Sequence, residues 1–528
     1  MSQDKNELAI APVKSLILKF ALPSVIAFLV NSLYSIVDQI FVGNYAGYKA
    51  NAATSIIFPV FMFSMAVASC ISEGGVAYFS LQLGAGHKKI SEKIFGNVLR
   101  LLIVFPICIT VFSYIFLDEM LVFFGATEEI IPLAKDYAKI IFLGGPFSLL
   151  GMGLNSFIRA DGSPRYAMSS MLVGAILNLI LDPIFISVFG WGVKGAAWAT
   201  VIGETASFIV SVLYLPKFRA LKVKLSSLKF SLPIVKKIIL YGTSNFFISV
   251  AITFVIIVYN NSLNKYGEGT IYGSTIPLSA YALTAKVNQI FMSFMIGLGI
   301  SLQPIVGYNY GARNYARVKE TFIYCLRIAV GIGLLFSIIL QIFPHFFVRL
   351  FGEGNELYYK FADMSFRIIF SAQMFTAFAI IISNFFRAIG KPLYSILSAG
   401  SRFTIFFIPI IYIVPKFLGL KGVLLSTPIC EVLSAGFSIW LMHGEMKKLN
   451  KLIKNEEKRK GSFSRLPSFL IPFKYGNQFK VCRVRKLVNR GYLFNPVSTI
   501  YQNFCIGCEC DRITRDVNNS FCCCITKF

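Results

Sequence analysis

Long apolar runs separated by short polar breaks occupy most of the chain before residue 443. A bilayer core about 30 Å thick requires about 20 predominantly apolar residues per helix, so each run is long enough to cross it. The pattern therefore predicts an all-α polytopic membrane protein with twelve transmembrane helices. The predicted spans lie near residues 15–42, 52–83, 93–117, 131–158, 166–189 and 195–215, and near residues 236–260, 277–308, 321–343, 359–386, 393–414 and 422–442.

The two sets of six spans match one another when the chain is shifted by 227 residues, with at most one residue of drift. This self-similarity predicts a duplicated six-helix unit. Because six is even, both copies begin on the same side of the membrane and are related by a pseudo-twofold axis along its normal. The matches include Gly84-Ala85 with Gly311-Ala312, Leu99-Arg100 with Leu326-Arg327, Phe157-x-Arg159-Ala160-x-Gly162-x-Pro164 with Phe385-x-Arg387-Ala388-x-Gly390-x-Pro392, Gly192-x-Lys194-Gly195 with Gly419-x-Lys421-Gly422, and Glu204 with Glu431.

The repeat divides the chain into five predicted parts. Two lobes of this kind can rock about a central cavity, which is the architecture of alternating access; the alternative is a duplicated scaffold without transport. The parts are a cytoplasmic N-terminus (1–14), a first six-helix lobe (15–216), a cytoplasmic linker (217–235), a second six-helix lobe (236–443), and a basic, Cys-rich cytoplasmic tail expected to be disordered (444–528).

Composition supports this interpretation and argues against a nucleic-acid-binding protein. Of the 528 residues, 56% are apolar and 14% charged, and the mean hydropathy is +0.68. The net charge of +26 comes largely from Lys and Arg in loops beside apolar spans, which the positive-inside rule places in the cytoplasm. Both termini are then cytoplasmic. The cytoplasmic loop charges include Lys88, Lys89, Arg159, Arg165, Arg313, Arg317, Arg387 and Lys391, and Asp118, Glu119 and Glu356 lie opposite.

The carboxylates within predicted spans of the first lobe include Asp38, Glu73, Asp182 and Glu204. An ionisable group at membrane depth costs about 3 kcal/mol on insertion scales, so each is a functional candidate. Asp182 and Asn178 are four residues apart and share one helix face, as do Thr200 and Ala196 on the next span. Oxygen cages of this sort bind hard cations such as Na⁺, whereas a close carboxylate pair can hold a shared proton. The alternative is that Asp38 and Asp182 are polar contacts between helices.

At several motifs the sequence resembles the multidrug and toxic compound extrusion (MATE) family, and looks closest to its prokaryotic MepA-like and DinF-like branches. The resemblance covers about residues 12–445 and implies a multi-pass protein of a prokaryotic plasma membrane. It implies secondary active export of amphipathic, often cationic compounds in exchange for Na⁺ or protons, a cation site at Asp38, Asn178, Asp182, Ala196 and Thr200, and a hinge at Pro23. A static packing kink is the alternative for Pro23. The motifs are Ala21-Leu22-Pro23, Val37-Asp38-x-x-Phe41-Val42-Gly43, Asn178-x-x-x-Asp182-Pro183 and the paired Arg-Ala-x-Gly-x-Pro segments.

Further cavity candidates are Asn155, one turn before Arg159, and Glu73, which either faces the cavity or caps a break at two glycines. Lys286 and Gln289 are the polar candidates near the cavity in the second lobe. We expect Glu204 and Glu431, at equivalent repeat positions, to accept structural hydrogen bonds. Met62, Met65, Met292 and Met295 suit adaptable substrate contacts in the equivalent spans two and eight.

The remaining signals are weak. The sequence contains no Gly-x-x-x-x-Gly-Lys-Ser/Thr segment, so direct ATP-driven pumping is unsupported, and we expect neither a cofactor nor a resident metal. The tail cysteines, Cys505-x-x-Cys508-x-Cys510 and Cys522-Cys523-Cys524, lack the spacing of a zinc site. We expect a monomer whose partners are drug-like substrates and membrane lipids, not nucleic acid. Two alternatives stay open: a lipid or lipid-linked saccharide flippase, and a membrane-embedded enzyme.

Overall fold

A computed structural model of the chain describes residues 7–41, 48–124, 128, 130–219, 229–351, 355–464, 469–475, 478–484 and 508–509. Four sequence features lie outside these residues in whole or in part. They are residues 1–6 of the N-terminal part, Val42-Gly43 of the motif that contains Asp38, residues 220–228 of the linker, and the tail cysteines Cys505, Cys510 and Cys522-Cys523-Cys524.

Within the described residues, sixteen α-helices follow one another along the chain. A short π-helical segment, Ile184–Val188, extends α7, and a second one, Ser401–Ile405, joins α15 to α16. The helices are α1 (Glu7–Ile10), α2 (Val13–Phe41), α3 (Tyr48–Gly84), α4 (Lys88–Ile115), α5 (Leu117–Phe123), α6 (Ile131–Ala160), α7 (Pro164–Pro183), α8 (Gly192–Val212), α9 (Leu232–Gly267), α10 (Thr275–Gly311), α11 (Tyr315–Ile342), α12 (Pro344–Phe351), α13 (Glu356–Ile369), α14 (Gln373–Ala388), α15 (Pro392–Gly400) and α16 (Phe407–Ser464).

Eleven helical segments of the described chain are long and apolar enough to cross a bilayer, where the sequence predicts twelve. The difference lies in the last of them, Pro392–Lys458, which contains both of the last two predicted spans. Gly419 interrupts it with a non-helical backbone, at φ 56° and ψ −138°. Because residues 393–414 and 422–442 lie on either side of this break, the segment contains both predicted spans, joined at Gly419.

The duplication appears in the backbone as well as in the sequence. Three pairs of equivalent positions adopt the left-handed conformation that non-glycine residues rarely visit. The pairs are Gly86 (φ 83°) with Arg313 (φ 62°), Gly162 (φ 93°) with Gly390 (φ 77°), and Gly192 (φ 55°) with Gly419 (φ 56°). Each pair is separated by 227 or 228 residues, so the two lobes make the same turns between the same helices.

The two lobes meet through reciprocal contacts. A Cβ atom added at Gly84 of α3 would overlap the carbonyl oxygen of Tyr308 in α10, and one added at Gly311 of α10 would overlap that of Leu81 in α3. The 227-residue shift converts one pair into the other. A contact that maps onto itself in this way is the mark of a twofold axis, which confirms the predicted pseudo-twofold arrangement.

Hydrogen bonds also join the lobes on both sides of this axis. Ser32 of α2 and Ser293 of α10 bond through their hydroxyl groups at 2.7 Å. Asn245 of α9 donates to Ser69 Oγ of α3 at 3.3 Å. The first helix of each lobe therefore packs against the second helix of the other, and the space between the lobes opens beside these crossings.

Residues from Lys447 onward form a second compact unit. There the chain continues as helix to Ser464, and β1 (Phe469–Tyr475) pairs antiparallel with β2 (Gln478–Val484), which pairs with β3 (Cys508–Glu509). The strands differ from the unstructured tail expected from the sequence, because Phe469-Leu470-Ile471 and Val481-Cys482 supply residues that favour strands. For the tail residues outside the described ranges, disorder stays a prediction.

Candidate functional site

A cavity of about 460 Å³ lies between the two lobes. In the first lobe, residues of α2, α3, α6, α7 and α8 line the cavity. In the second lobe, the lining residues belong to α9, α10, α14, α15 and the π-helical segment that follows α15. Met65 and Met292, at equivalent repeat positions, both face it, and Met152 and Met171 add thioether groups. This wall is soft and mostly apolar, as suits ligands of varied shape.

Asp38 of α2 and Asp182 of α7 lie within hydrogen-bonding distance of each other. Asp182 is 1% exposed, and Asp38 Oδ1 is buried without a hydrogen-bond partner in the described part of the chain. Two carboxyl groups this close resist joint ionisation, so a proton or a cation must compensate them. Residues far apart in sequence thus form a single acidic pair.

Asn178 connects this pair to the cavity. In the amide orientation that satisfies both neighbours, its nitrogen donates to Asp182 Oδ2 at 3.0 Å and its oxygen accepts from the Thr200 backbone N–H at 3.2 Å. Asn178 and Thr200 both line the cavity. Ala196, one turn before Thr200, is buried beside Val193 and Ile186, and its carbonyl as a cation ligand stays a prediction.

Two tyrosines lie near the acidic pair. Tyr34 and Tyr137 are within electrostatic reach of Asp38 and Asp182 and also of Glu204, and Glu204 accepts a hydrogen bond from Ser148. The sequence analysis omits both tyrosines, although Tyr34 precedes Asp38 by one helical turn and so shares its face. Glu204 also lines the cavity, and its hydrogen bond from Ser148 of the neighbouring α6 is of the kind expected for it.

Glu73, Asn155 and Arg159 form a second network at the cavity wall. Ser156 donates from Oγ to Glu73 Oε1 at 2.9 Å, and Arg159 Nη2 lies 3.7 Å from the same oxygen. Arg159 also donates to Ser156 Oγ at 2.8 Å and to Asn155 Oδ1. Asn155 is held in turn by donating to Ala167 O at 2.7 Å and to Ser170 Oγ at 2.8 Å.

The second lobe presents two arginines to the cavity, Arg387 and Arg402. Arg402 Nε lies 2.5 Å from Glu431 Oε1, and Glu431 is 3% exposed. The expected structural role of Glu431 fits this ion pair. The sequence analysis treats Arg159 and Arg387 as loop charges, but each lies in the last turn of a helix and is 7% exposed.

Lys286 and Gln289 do not line the cavity in the described structure. On α10 its wall begins at Met292 and continues through Ile296 and Ile300. Lys286 lies six residues before Met292, about 9 Å along the axis, and the Gln289 side chain is exposed. The prediction for Lys286 and Gln289 is based on their polar side chains, and residue type alone does not show where along α10 the cavity wall begins.

Pro23 is buried within α2, which continues through it without interruption. Proline lacks the N–H that would bond the carbonyl of Lys19, so this turn of α2 is weaker than its neighbours. Its role as a hinge stays a prediction.

The sequence is similar to those of bacterial multidrug export proteins. The chain is 27% identical over 434 residues to the multidrug export protein MepA of Staphylococcus aureus, covering 80% of this chain and 92% of MepA. It is 26% identical over 432 residues to MepA of Staphylococcus haemolyticus, covering 81% and 93%.

Solved structures share the fold. An outward-facing multidrug resistance MATE transporter of the MOP superfamily matches with a TM-score of 0.79 at 23% identity, covering 86% of this chain and all of the other, 100%. A MOP superfamily transporter from Pyrococcus furiosus, described as having a binding pocket of reverse polarity that suggests a different function, matches with a TM-score of 0.78 at 23% identity, covering 84% and 98%.

A sequence model of the MatE family matches residues 23–184 and 268–413, which together are more than half of the chain. The two matched segments fall in the two lobes, as a duplicated transporter requires. The family consists of transporters and not enzymes, which removes the membrane-enzyme alternative. The chain belongs to the MATE family of multi-pass membrane transporters.

Proposed function

We propose that this protein exports amphipathic, often cationic compounds by antiport against inward-moving Na⁺ or protons. The single observation that carries the proposal is the contact between Asp38 and Asp182 beside the central cavity. A cation or proton that binds there changes the charge of the first lobe within reach of a bound substrate. The multidrug export activity named for the MepA relatives supports the same assignment.

The coupling step follows from the cluster's electrostatics. With the cation site empty, the paired carboxylates attract a cationic substrate toward the first lobe. When Na⁺ or a proton binds, this attraction is lost, and the substrate is released. Asn178 transmits the change, because it bonds to Asp182 and to Thr200, and both Asn178 and Thr200 line the cavity.

Alternating access requires the lobes to separate on one side and close on the other. The Gly84 and Gly311 contacts close the ends of α3 and α10 that precede the basic loops. We propose that those loops and both termini are cytoplasmic, so that this conformation is closed on the cytoplasmic side. We further propose that α2 bends at Pro23 when the cation site fills, and that the transporter works as a monomer.

The arginines of the second lobe favour one other candidate, a flippase for lipids or lipid-linked saccharides. Its diphosphate or phosphate headgroups would need a cationic cavity, and Arg387 and Arg402 contribute such charge. The acids of the first lobe favour drug export over this alternative.

Transport by the purified protein in liposomes tests the assignment. Ethidium uptake into inside-out oriented vesicles is followed with a Na⁺ gradient and a pH gradient imposed separately, without ATP. We expect one of the gradients to drive uptake. Uptake that requires ATP, or that proceeds equally without any gradient, would contradict the proposal. Translocation of a fluorescent phospholipid in the same vesicles, in place of ethidium, would identify the flippase.

A further inference from the structure

Arg387 is a buried cation that makes no hydrogen bond through Nε to any described residue. Its side chain lines the cavity and is 7% exposed. Within the described part of the chain its guanidinium makes no ion pair, although the Glu73 carboxylate lies within electrostatic reach. A buried charge without a counterion is unfavourable, so this group calls for an explanation.

The internal repeat shows what Arg387 lacks. Its equivalent, Arg159, contacts Glu73, Ser156 and Asn155. The repeat shift converts Glu73 into Ile300, which cannot pair with an arginine. The second lobe has therefore kept the arginine of the ancestral unit without the acid that neutralises it in the first.

The polar neighbours of Arg387 are engaged elsewhere. Ser383, the equivalent of Asn155, bonds to the hydroxyl of Ser395 at 2.8 Å, and Asn384, the equivalent of Ser156, donates to Ile380 O at 2.9 Å. Arg387 lies in the last turn of α14, where the helix dipole favours a positive charge. That effect is weaker than the cost of burial, so it does not by itself account for a buried guanidinium.

A planar guanidinium with free N–H groups binds carboxylate, sulfonate or phosphate through two parallel hydrogen bonds. We propose that Arg387 is an anion subsite of the central cavity, which binds one such group of an amphipathic substrate. The apolar part of that substrate contacts Ile296, Ile300 and Met292 on the neighbouring helix. The inference rests on the proposed function in taking this cavity as the substrate site, and it extends the substrates to zwitterionic and anionic amphiphiles.

Equilibrium binding to the full-length protein in phosphatidylcholine nanodiscs tests this without any ion gradient. The two fluorescent probes are anilinonaphthalene sulfonate and phenylnaphthylamine, which differ by a single sulfonate. We expect Arg387→Gln to weaken binding of the sulfonate about 10- to 100-fold, the range for loss of a charged hydrogen bond, and to leave phenylnaphthylamine binding unchanged. Arg387→Lys should restore part of the loss. The exposed Arg165→Gln, which changes net charge equally, should have no effect.

A second pair of variants tests the repeat argument and does not depend on Arg387→Gln folding. Ile300→Glu restores the acid that the first lobe has at Glu73, and Ile300→Gln removes the same apolar contact without adding a charge. Sulfonate binding to Ile300→Glu should be at least about tenfold weaker than sulfonate binding to Ile300→Gln. Equal effects of Glu and Gln, or equal loss of both probes in Arg387→Gln, would overturn the subsite. Because no gradient is applied, failure here is distinct from failure of antiport.

The lipid composition of the nanodisc identifies the source of the anion. If a lipid headgroup occupies the subsite, phosphatidylglycerol will weaken sulfonate binding to the wild-type protein and not to Arg387→Gln. If the subsite serves drug-like amphiphiles alone, the lipid will not change the ratio between the two proteins. Sulfonate affinity that is identical in wild type and Arg387→Gln in both lipids would show that no anion binds there.

Discussion

The carboxylate of Glu73 lies 3.7 Å from the guanidinium of Arg159, and the hydroxyl of Ser156 bridges the two. Both charged side chains are buried against the cavity wall, at 7% exposure each. The pair joins α3 to α6 near the end of the first lobe that carries Gly84. It therefore fixes two helices of one lobe relative to each other, so that the lobe can move as a unit.

Glu73→Gln should destabilise the protein by about 3 kcal/mol, because it leaves the Arg159 guanidinium buried without its counterion. Unfolding of the purified protein in mixed micelles by increasing denaturant measures the change. The control is Glu119→Gln, which removes an exposed carboxylate and should alter stability by less than about 0.5 kcal/mol. A Glu73→Gln protein as stable as the control would show that the pair does not hold the two helices.

Gly311→Ala should destabilise the closed arrangement of the lobes, since its methyl group would overlap the backbone of Leu81. Gly331→Ala in α11 is the matched control, because an added Cβ there meets open space. That control should be neutral or stabilising by up to about 1 kcal/mol through helix propensity. Thermal unfolding of the two variants in detergent separates the effects, and equal melting temperatures would contradict close packing of α3 on α10.

Equivalent positions of the two lobes should be reached from the same side of the membrane. Arg165→Cys and Leu393→Cys, both at exposed sites one residue into α7 and α15, should react with an impermeant maleimide only from the cytoplasmic face. Glu119→Cys, at the other end of the first lobe, should react only from outside. Mass spectrometry identifies each labelled cysteine in intact cells and inside-out vesicles. Arg165→Cys and Leu393→Cys reacting from opposite faces would contradict parallel repeats.

Much of the architecture is predictable from sequence, because hydropathy and the internal repeat are properties of the chain itself. The 227-residue repeat predicts that Gly192 and Gly419 occupy equivalent turns, and both have a positive φ. The i, i+4 spacing of Asn178 and Asp182 predicts that they share one helix face, and the structure shows the hydrogen bond between them.

The rest depends on packing between helices that are distant in sequence. Tyr137 joins the acidic cluster only because α6 packs against α7 and α8, which no local pattern indicates. Arg387 and Arg159 occupy the same motif, and only the structure shows that Arg159 pairs with Glu73 while Arg387 makes no ion pair with a described residue. Lys286 has a suitable charge but lies too far along α10 to reach the cavity.

The central claim is that Asp38 and Asp182 couple cation movement to export. Asn keeps the shape of Asp and much of its hydrogen bonding but not its charge, so it distinguishes coupling from a structural contact. The matched control is Asp118→Asn, which makes the same substitution at an exposed carboxylate of the first lobe.

The most direct measurement is gradient-driven ethidium transport by Asp38→Asn and Asp182→Asn in proteoliposomes, alongside their melting temperatures. We predict that each variant retains the wild-type melting temperature to within a few degrees, loses at least about tenfold in gradient-driven transport, and no longer responds to the coupling ion, while Asp118→Asn transports normally. Folded Asp38→Asn and Asp182→Asn proteins that transport ethidium at the wild-type rate under the same gradient would contradict the account.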